Sequence, residues 1–231
     1  MSKLHRQLSY LVACFAIAGC DPPDPPGPAP DPGDPPALRA AETCGYRTQN
    51  QYDWGADCDA AHPTACLRDK HYGQVLHDGL MLGCGVRTAN LENSPGARVA
   101  LPTSGKVRHL YLSESVGYDG VADPDVGTAF FGHVAALGMN LAFADLPAFD
   151  QNPGTPLGEL LVADPDSPCV GMSVEDVFFE ANAALGDCAT SLTAQDLNTC
   201  VSQINAVFRD GTDLNGTPIC TGKLVEPAPV S

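Results

Sequence analysis

The chain has 231 residues, of which 44% are hydrophobic, and it carries a formal net charge of −16. The hydrophobic content is typical of a globular protein and argues against a wholly disordered chain. The negative charge makes nucleic acid and anionic membrane surfaces poor partners, because both would repel it.

The first 19 residues predict an export signal. A basic start at residues 3–6 is followed by an apolar stretch of 12 residues, Leu8–Gly19. This stretch is too short to cross a bilayer as a helix, which takes about 20 residues. Its end, Ile17–Cys20 (IAGC), resembles the lipobox of bacterial lipoproteins. The resemblance implies cleavage before Cys20 and acylation of that cysteine, with palmitate as a typical fatty acid, so that the chain is anchored to a membrane.

Two alternatives to lipidation are an ordinary signal peptide with a chance cysteine and an uncleaved anchor. Asp21 follows the predicted cleavage site. In enteric bacteria an aspartate there marks retention in the inner membrane, but the rule does not transfer to all Gram-negative lineages. The choice between inner and outer membrane therefore stays open.

Residues 21–36 predict an extended tether, with nine prolines, four aspartates, two glycines and one alanine. Proline favours polyproline II and the aspartates repel one another, which predicts a stalk of roughly 50 Å at about 3.1 Å per residue. A docking site for a proline-recognition domain is the alternative. The predicted organisation is a signal peptide (1–19), a lipidated cysteine with its tether (20–36) and one globular Cys-rich domain (37–231). We expect that domain in the cell envelope, on the periplasmic or cell-surface side.

Periodicity and capping residues predict the first elements of the domain. Residues 67–76 predict a short helix, and residues 79–84 predict a strand that enters the core. Ser94 is expected to cap a helix that runs through Leu101, with Pro95 in its first turn.

Three further helices are predicted beyond residue 125. Val126–Ala144 is apolar nearly all round and predicts a helix buried in the middle of the domain, with Asp125 placed to cap it. Ser173 and Thr193 predict the starts of two more helices, which end at Gly186 and Gly211. Each has one apolar face: Val174, Val177, Phe178, Ala181 and Leu185 in the first, and Leu197, Val201, Ile204 and Phe208 in the second. The predicted fold is α+β, helix-rich and single-domain, stapled by disulfides, with a buried central helix and a C-terminal α-hairpin.

The cysteine count predicts an oxidised domain. Once Cys14 leaves with the signal and Cys20 takes the lipid, an even number remains: Cys44, Cys58, Cys66, Cys84, Cys169, Cys188, Cys200 and Cys220. Four lie in residues 44–84 and four in residues 169–220, so the spacing predicts four disulfides within these two clusters. The expected pairs are Cys58–Cys66, Cys44–Cys84, Cys188–Cys200 and Cys169–Cys220. Zinc held by Cys58, Cys66 and the histidines nearby is the alternative, but no C-x-x-C spacing occurs.

Several segments resemble an uncharacterised Cys-rich module that recurs in exported proteins of large-genome bacteria. Its start is of the type C-R-T-Q…G-G-W-G…C…C-x-R-D…G-L-x-x-G-C. The segments that carry the resemblance are residues 44–49 (CGYRTQ), 52–55 (YDWG), 66–69 (CLRD), 79–84 (GLMLGC), 132–143, 164–177 and 180–186. This chain departs from the type at Gly45-Tyr46 and at Tyr52-Asp53. The resemblance implies a secreted surface module and assigns no activity to it.

The sequence contains no recognised catalytic motif. It lacks the G-x-S-x-G elbow of serine hydrolases, and Thr103–Lys106 lacks the glycine spacing of a P-loop. The histidines of the domain show no pairing with a fixed acid or nucleophile. His133, inside the apolar helix, is expected to be a core histidine with satisfied hydrogen bonds.

A weak calcium site is the one metal interpretation that the sequence favours. Asp119, Asp123 and Asp125 lie within ten residues, 118–127, that glycines and a proline interrupt. Calcium binds six to eight oxygen ligands, which such loops supply, but no EF-hand spacing is present. A solvated acidic turn is the alternative, and no other cofactor is expected.

Two classes of function remain from the sequence. The favoured one is a membrane-anchored lipoprotein that presents a non-catalytic binding module to another envelope protein or an extracellular ligand, with no role for nucleic acid. The alternatives are an envelope hydrolase that uses paired carboxylates and a calcium-dependent binding module.

Overall fold

The structure is a computed structural model that describes residues 43–110, 128–147, 149, 154–213 and 215–228, together with the backbone of 116–118. These residues belong to one compact unit, Leu38–Ser231. Six helices and several small sheets give an α+β fold, as the sequence predicted. The signal, Cys20 and the tether lie outside the described residues.

Three short helices form the N-terminal part of the fold. Helix α1 is Gln51–Gly55, α2 is Pro63–Val75 and α3 is Ser94–Ala100. Helix α2 begins four residues before the predicted helix, because Pro63 sits at its first position, where no backbone donor is needed. The predicted cap of α3 is wrong. Asn93 caps it by accepting from the Gly96 nitrogen, and Ser94 lies inside the helix.

Seven short strands form three small sheets. The largest pairs β2 (Leu80–Cys84) antiparallel with β3 (Arg87–Leu91), and β4 (Val116–Tyr118) adds to β3 in parallel. Strand β2 confirms the strand predicted at 79–84. Strand β1 (Thr43–Cys44) pairs with β6 (Cys220–Thr221), and β5 (Leu161–Val162) pairs with β7 (Leu224–Val225).

Helix α4, Ala129–Phe143, packs against α1 and β2 and against the helices that follow it. Eleven of its 15 residues are buried, in keeping with its nearly continuous apolar sequence. Thr128 caps the helix by accepting from the Phe131 nitrogen at 3.0 Å. The expectation that Asp125 caps it is therefore wrong, and Asp125 itself lies outside the described residues.

Helices α5 (Val174–Leu185) and α6 (Ala194–Val207) pack against each other and against α4. Ser173 and Thr193 cap them as predicted, and Gly186 ends α5. Helix α6 stops at Val207, earlier than the predicted end at Gly211. Both predicted faces point into the core, with Phe178 alone only partly buried.

Four disulfides join the described cysteines: Cys44–Cys220, Cys58–Cys66, Cys84–Cys188 and Cys169–Cys200. The structure confirms Cys58–Cys66. The other three predicted pairs, Cys44–Cys84, Cys188–Cys200 and Cys169–Cys220, are wrong, and so is the two-cluster scheme.

Tertiary packing explains each of the three corrected pairs. The register of β1 and β6 places Cys44 directly opposite Cys220. The end of α5 packs on β2, where a side chain at Gly186 would collide with Cys84, so Cys84 and Cys188 come together. Cys200 faces the core and meets the equally buried Cys169, whereas Cys188 is exposed.

We expect the longest crosslink to stabilise the domain most. Cys44 and Cys220 are 176 residues apart and Cys58 and Cys66 only 8 apart. In the chain-entropy model, the double substitution Cys44→Ala/Cys220→Ala lowers the free energy of unfolding by about 5 kcal/mol, and Cys58→Ala/Cys66→Ala lowers it by about 3 kcal/mol. Urea unfolding of both variants measures the difference, and non-reducing peptide mapping checks that the other bridges persist. The opposite ranking would contradict this account.

Candidate functional site

A buried polar network centred on Asn140 of α4 holds residues 44–49, the first segment that resembles the Cys-rich module. The side-chain oxygen of Asn140 accepts from the Gln49 backbone nitrogen at 2.8 Å and from Trp54 Nε1 at 3.0 Å. Its nitrogen donates to the Gln49 carbonyl and to Asn205 Oδ1, both at 2.9 Å. These four bonds use the full hydrogen-bonding capacity of the amide. Asn140 therefore joins the first segment of the domain to α1, α4 and α6.

Neighbouring side chains extend this network. Thr48 Oγ1 donates to the Asn205 carbonyl at 3.1 Å and accepts from the Phe208 nitrogen at 3.1 Å. Gln49 Nε2 donates to Thr64 Oγ1 at 2.9 Å and to Asp210 Oδ1 at 3.0 Å. The residues that follow Cys44 thus bind α2 and the end of α6 and are engaged in packing.

The C-x-R-D segment forms a second structural centre around Arg68, whose side chain is fully buried. Its guanidinium donates to the carbonyls of Trp54 and Ala56 and to Asp69 Oδ1, the last at 2.6 Å from Nη2. Ser94 of α3 accepts from Arg68 Nε at 2.9 Å and donates to Asp69. This cluster joins α1, α2 and α3.

Asp69 neutralises the buried guanidinium. Burial raises the pKa of Asp69, but hydrogen bonds from Ser94 and Arg68, together with the charge of Arg68, outweigh that effect and hold the pKa below its usual value. Asp69 is therefore ionised at neutral pH, and its role is to satisfy Arg68.

Close packing explains the remaining resembling segments. A side chain at Gly55, after Trp54, would collide with the backbone of Leu101. A Cβ at Gly138 of α4 would lie about 3 Å from Leu80 and Phe178. Asn182 of α5 accepts from the Gly83 nitrogen of β2 at 2.7 Å. These residues of the segments 52–55, 79–84, 132–143 and 180–186 therefore serve core packing.

The predicted calcium ligands Asp119, Asp123 and Asp125 lie outside the described residues, as does the predicted lipidation site Cys20. Within the described ranges, no group of three or more histidine, cysteine, aspartate or glutamate side chains is arranged to hold a metal ion. The eight cysteines of the domain are all disulfide-bonded, so Cys58 and Cys66 are not thiolate ligands for the zinc alternative.

The histidines differ from the prediction, because three of them contact a carboxylate. His62 lies 2.9 Å from Asp59, and His77 lies 3.3 Å from Asp78. Sequence neighbours form both pairs, so their spacing was a usable signal. His109 Nε2 lies 3.5 Å from Asp187, which also binds Arg87 at 3.1 Å. This third pair forms only in the tertiary structure.

His133 lies on α4 with its ring partly buried. Its Nδ1 is 3.0 Å from Asn198 Oδ1. Burial lowers the pKa of His133, and the hydrogen bond to Asn198 opposes this in part. The ring therefore has a structural partner on α6, as expected of a core histidine.

A surface depression on the outer face of α5 is the candidate binding site. It has a volume of about 330 Å³ and is lined by Met172, Asp176, Phe179, Glu180 and Ala183. The four helical residues follow helical spacing, so they form one continuous ridge. The Phe179 side chain is 57% exposed. Glu180 accepts from the nitrogen and hydroxyl of Ser191, at 2.8 and 3.1 Å, which fixes one rim of the depression.

No motif in the sequence predicts this site. The one sequence feature that could have indicated it is Phe179, a large aromatic residue outside the apolar face formed by Val177, Ala181 and Leu185. An aromatic residue on the polar face of an amphipathic helix indicates a surface with a partner more often than a lone exposed aliphatic does.

Comparison with protein-family models, curated proteins and solved structures finds no match for this chain. In the part of the chain that the structure describes, no helix is both long enough and apolar enough to cross a bilayer.

We expect Asn140 to be the most sensitive polar position in the core. Asn140→Leu leaves the buried donors of Gln49 and Trp54 without acceptors, so it should lower the free energy of unfolding by about 3–5 kcal/mol. Asn198→Leu is the control, because it removes one side-chain hydrogen bond at a partly exposed position. Denaturant unfolding measures both. An equal loss of unfolding free energy in the two variants would contradict the proposed importance of the Asn140 network for stability.

A second prediction concerns the pH dependence of the Arg68 cluster. Asp69 has a lowered pKa in the folded state, so its contribution is fully present above the unfolded value of 3.8 and is lost as pH falls through the folded value. Asp69→Asn should lower the free energy of unfolding by about 2 kcal/mol at pH 7. This loss is smaller than that for a fully buried ion pair, because Asp69 is partly exposed. The difference in the free energy of unfolding between wild type and variant should stay constant from pH 7 down to 3.8 and shrink only as the pH falls below 3.8. Asp57→Asn, which breaks an exposed pair with Arg98, should show little change throughout.

Proposed function

We propose that this chain is an envelope lipoprotein whose domain is a non-catalytic binding module. The signal of residues 1–19 directs export, Cys20 carries the lipid, and residues 21–36 hold the domain away from the membrane. The depression on α5 is the face that meets the partner. The single observation that carries this proposal is the oxidised state of all eight domain cysteines.

Disulfides support export because they persist outside the reducing cytosol. The lipobox-like Ile17–Cys20 and the proline-rich segment then supply an anchor and a spacer in the order that a surface lipoprotein needs. Several acyl chains, at about 0.8 kcal/mol for each buried CH₂ group, hold such a protein on a membrane without a spanning helix.

The state of the carboxylates supports a non-catalytic role. A general acid needs a carboxyl group whose pKa is raised towards neutrality. Among the described residues, the carboxyl groups with a displaced pKa are all displaced downwards, and hydrogen bonds cause most of it: Asp59, Asp69, Asp164 and Asp213. Asp176 and Glu180 line a depression that is open to water, which is a poor setting for hydrolysis through paired carboxylates.

The anchor is tested by substitution in the full chain, expressed in a Gram-negative host that is fed labelled palmitate. Cys20→Ser should abolish labelling and leave an uncleaved or soluble precursor, because no other thiol lies at the end of the signal. Cys14→Ser is the matched control, since it removes a thiol within the signal and leaves Ile17–Cys20 intact. Labelling that survives Cys20→Ser would reject the proposed anchor.

A further inference from the structure

The outer face of α5 combines an exposed aromatic ring with two carboxylates. Asp176 and Phe179 are exposed, and Glu180 is partly buried at the rim. Residues three or four apart on a helix are surface neighbours, so Asp176 and Glu180 lie on one ridge and Phe179 lies beside Asp176. Met172 adds a polarisable thioether to the lining of the depression.

The negative charge of this face is not neutralised by the rest of the described domain. Helix α5 contains Glu175, Asp176 and Glu180 and no basic residue. None of the ion pairs between described residues involves these three carboxylates. The neighbouring loop contributes Ser191, which donates neutral hydrogen bonds to Glu180 and adds no charge.

We infer that this face binds a basic segment of another envelope protein, with an arginine or lysine side chain laid across the Phe179 ring towards the carboxylates of Asp176 and Glu180. This inference rests on the proposed binding function. The aliphatic stem of such a side chain covers Phe179 and Met172, while its charged end meets the two carboxylates. A cation over an exposed aromatic ring adds about 0.5–1 kcal/mol to the ion pairs.

The geometry favours an extended segment over a small free cation. Asp176–Ala183 spans about 10 Å along the helix axis, at about 1.5 Å per residue, which is more than one cationic group needs. A second copy of this chain is a poor occupant, because two α5 faces without basic residues repel each other and the whole chain is acidic. Anionic lipids and nucleic acid are repelled for the same reason.

The test uses the full chain, purified in detergent, and a fluorescein-labelled peptide of alternating arginine and leucine. Fluorescence anisotropy should show saturable binding that weakens as salt is raised. Asp176→Asn/Glu180→Gln should weaken it about tenfold and Phe179→Ala about twofold to fivefold, in line with the loss of two exposed ion pairs or one cation–π contact.

Matched controls separate this face from the general acidity of the chain. Glu175→Gln removes one negative charge from the same turn of α5 as Asp176, half of what the double variant removes, but Glu175 does not line the depression. Met81→Ala removes another exposed apolar side chain, on β2. Both should change the affinity less than twofold, and thermal melting should show that all variants fold.

Three results would overturn the inference. The first is no binding of the peptide at low salt, and the second is an equal loss with Glu175→Gln, which would show nonspecific attraction. The third is equally tight binding of N-acetylarginine amide, which would identify a free cation as the ligand. The lipid anchor is measured separately by palmitate labelling, so a failed peptide test with intact labelling rejects this face and leaves the anchor standing.

Discussion

The fold depends on one buried amide. Asn140 lies fully buried in the last turn of the largely apolar helix α4, where an unpaired polar group would be costly, and all four of its hydrogen-bonding positions are filled. Its partners come from three separate parts of the chain: the backbone at Gln49, the ring of Trp54 and the side chain of Asn205. Because only one arrangement satisfies all of them, the amide fixes how the first segment and α6 sit on α4.

The disulfides stabilise the same arrangement by covalent crosslinks. Three of the four join residues more than 30 positions apart: 176 for Cys44–Cys220, 104 for Cys84–Cys188 and 31 for Cys169–Cys200. Cys44–Cys220 joins β1 to β6, Cys84–Cys188 joins β2 to the residues that follow α5, and Cys169–Cys200 joins the segment before α5 to α6. A domain outside the cytoplasm gains from such crosslinks because they restrict the unfolded chain.

The proposed binding face consists of α5 residues that do not pack into the core. Val177, Ala181 and Leu185 pack into the core, and Asn182 accepts a hydrogen bond from the Gly83 nitrogen of β2. Asp176, Phe179 and Glu180 make no comparable contribution to the core, and Phe179 is 57% exposed although its ring packs against Phe178. An exposed aromatic ring beside carboxylates that no described cation neutralises favours the cationic partner that we propose.

The sequence by itself determined the α+β class, the apolar helix α4, the caps Ser173 and Thr193, the inward faces of α5 and α6, and Cys58–Cys66. These features depend on residues close in sequence, through helical periodicity, capping and short loops. Only the tertiary structure decided the other three disulfides, the His109–Asp187 contact and the face on α5. These features form where segments distant in sequence come into contact. Cys44 pairs with Cys220 because the β1–β6 register places them opposite each other, and Cys84 pairs with Cys188 because Gly186 allows β2 to pack closely against the end of α5. The spacing of residues along the chain does not predict these contacts, because the packing of the whole core determines them.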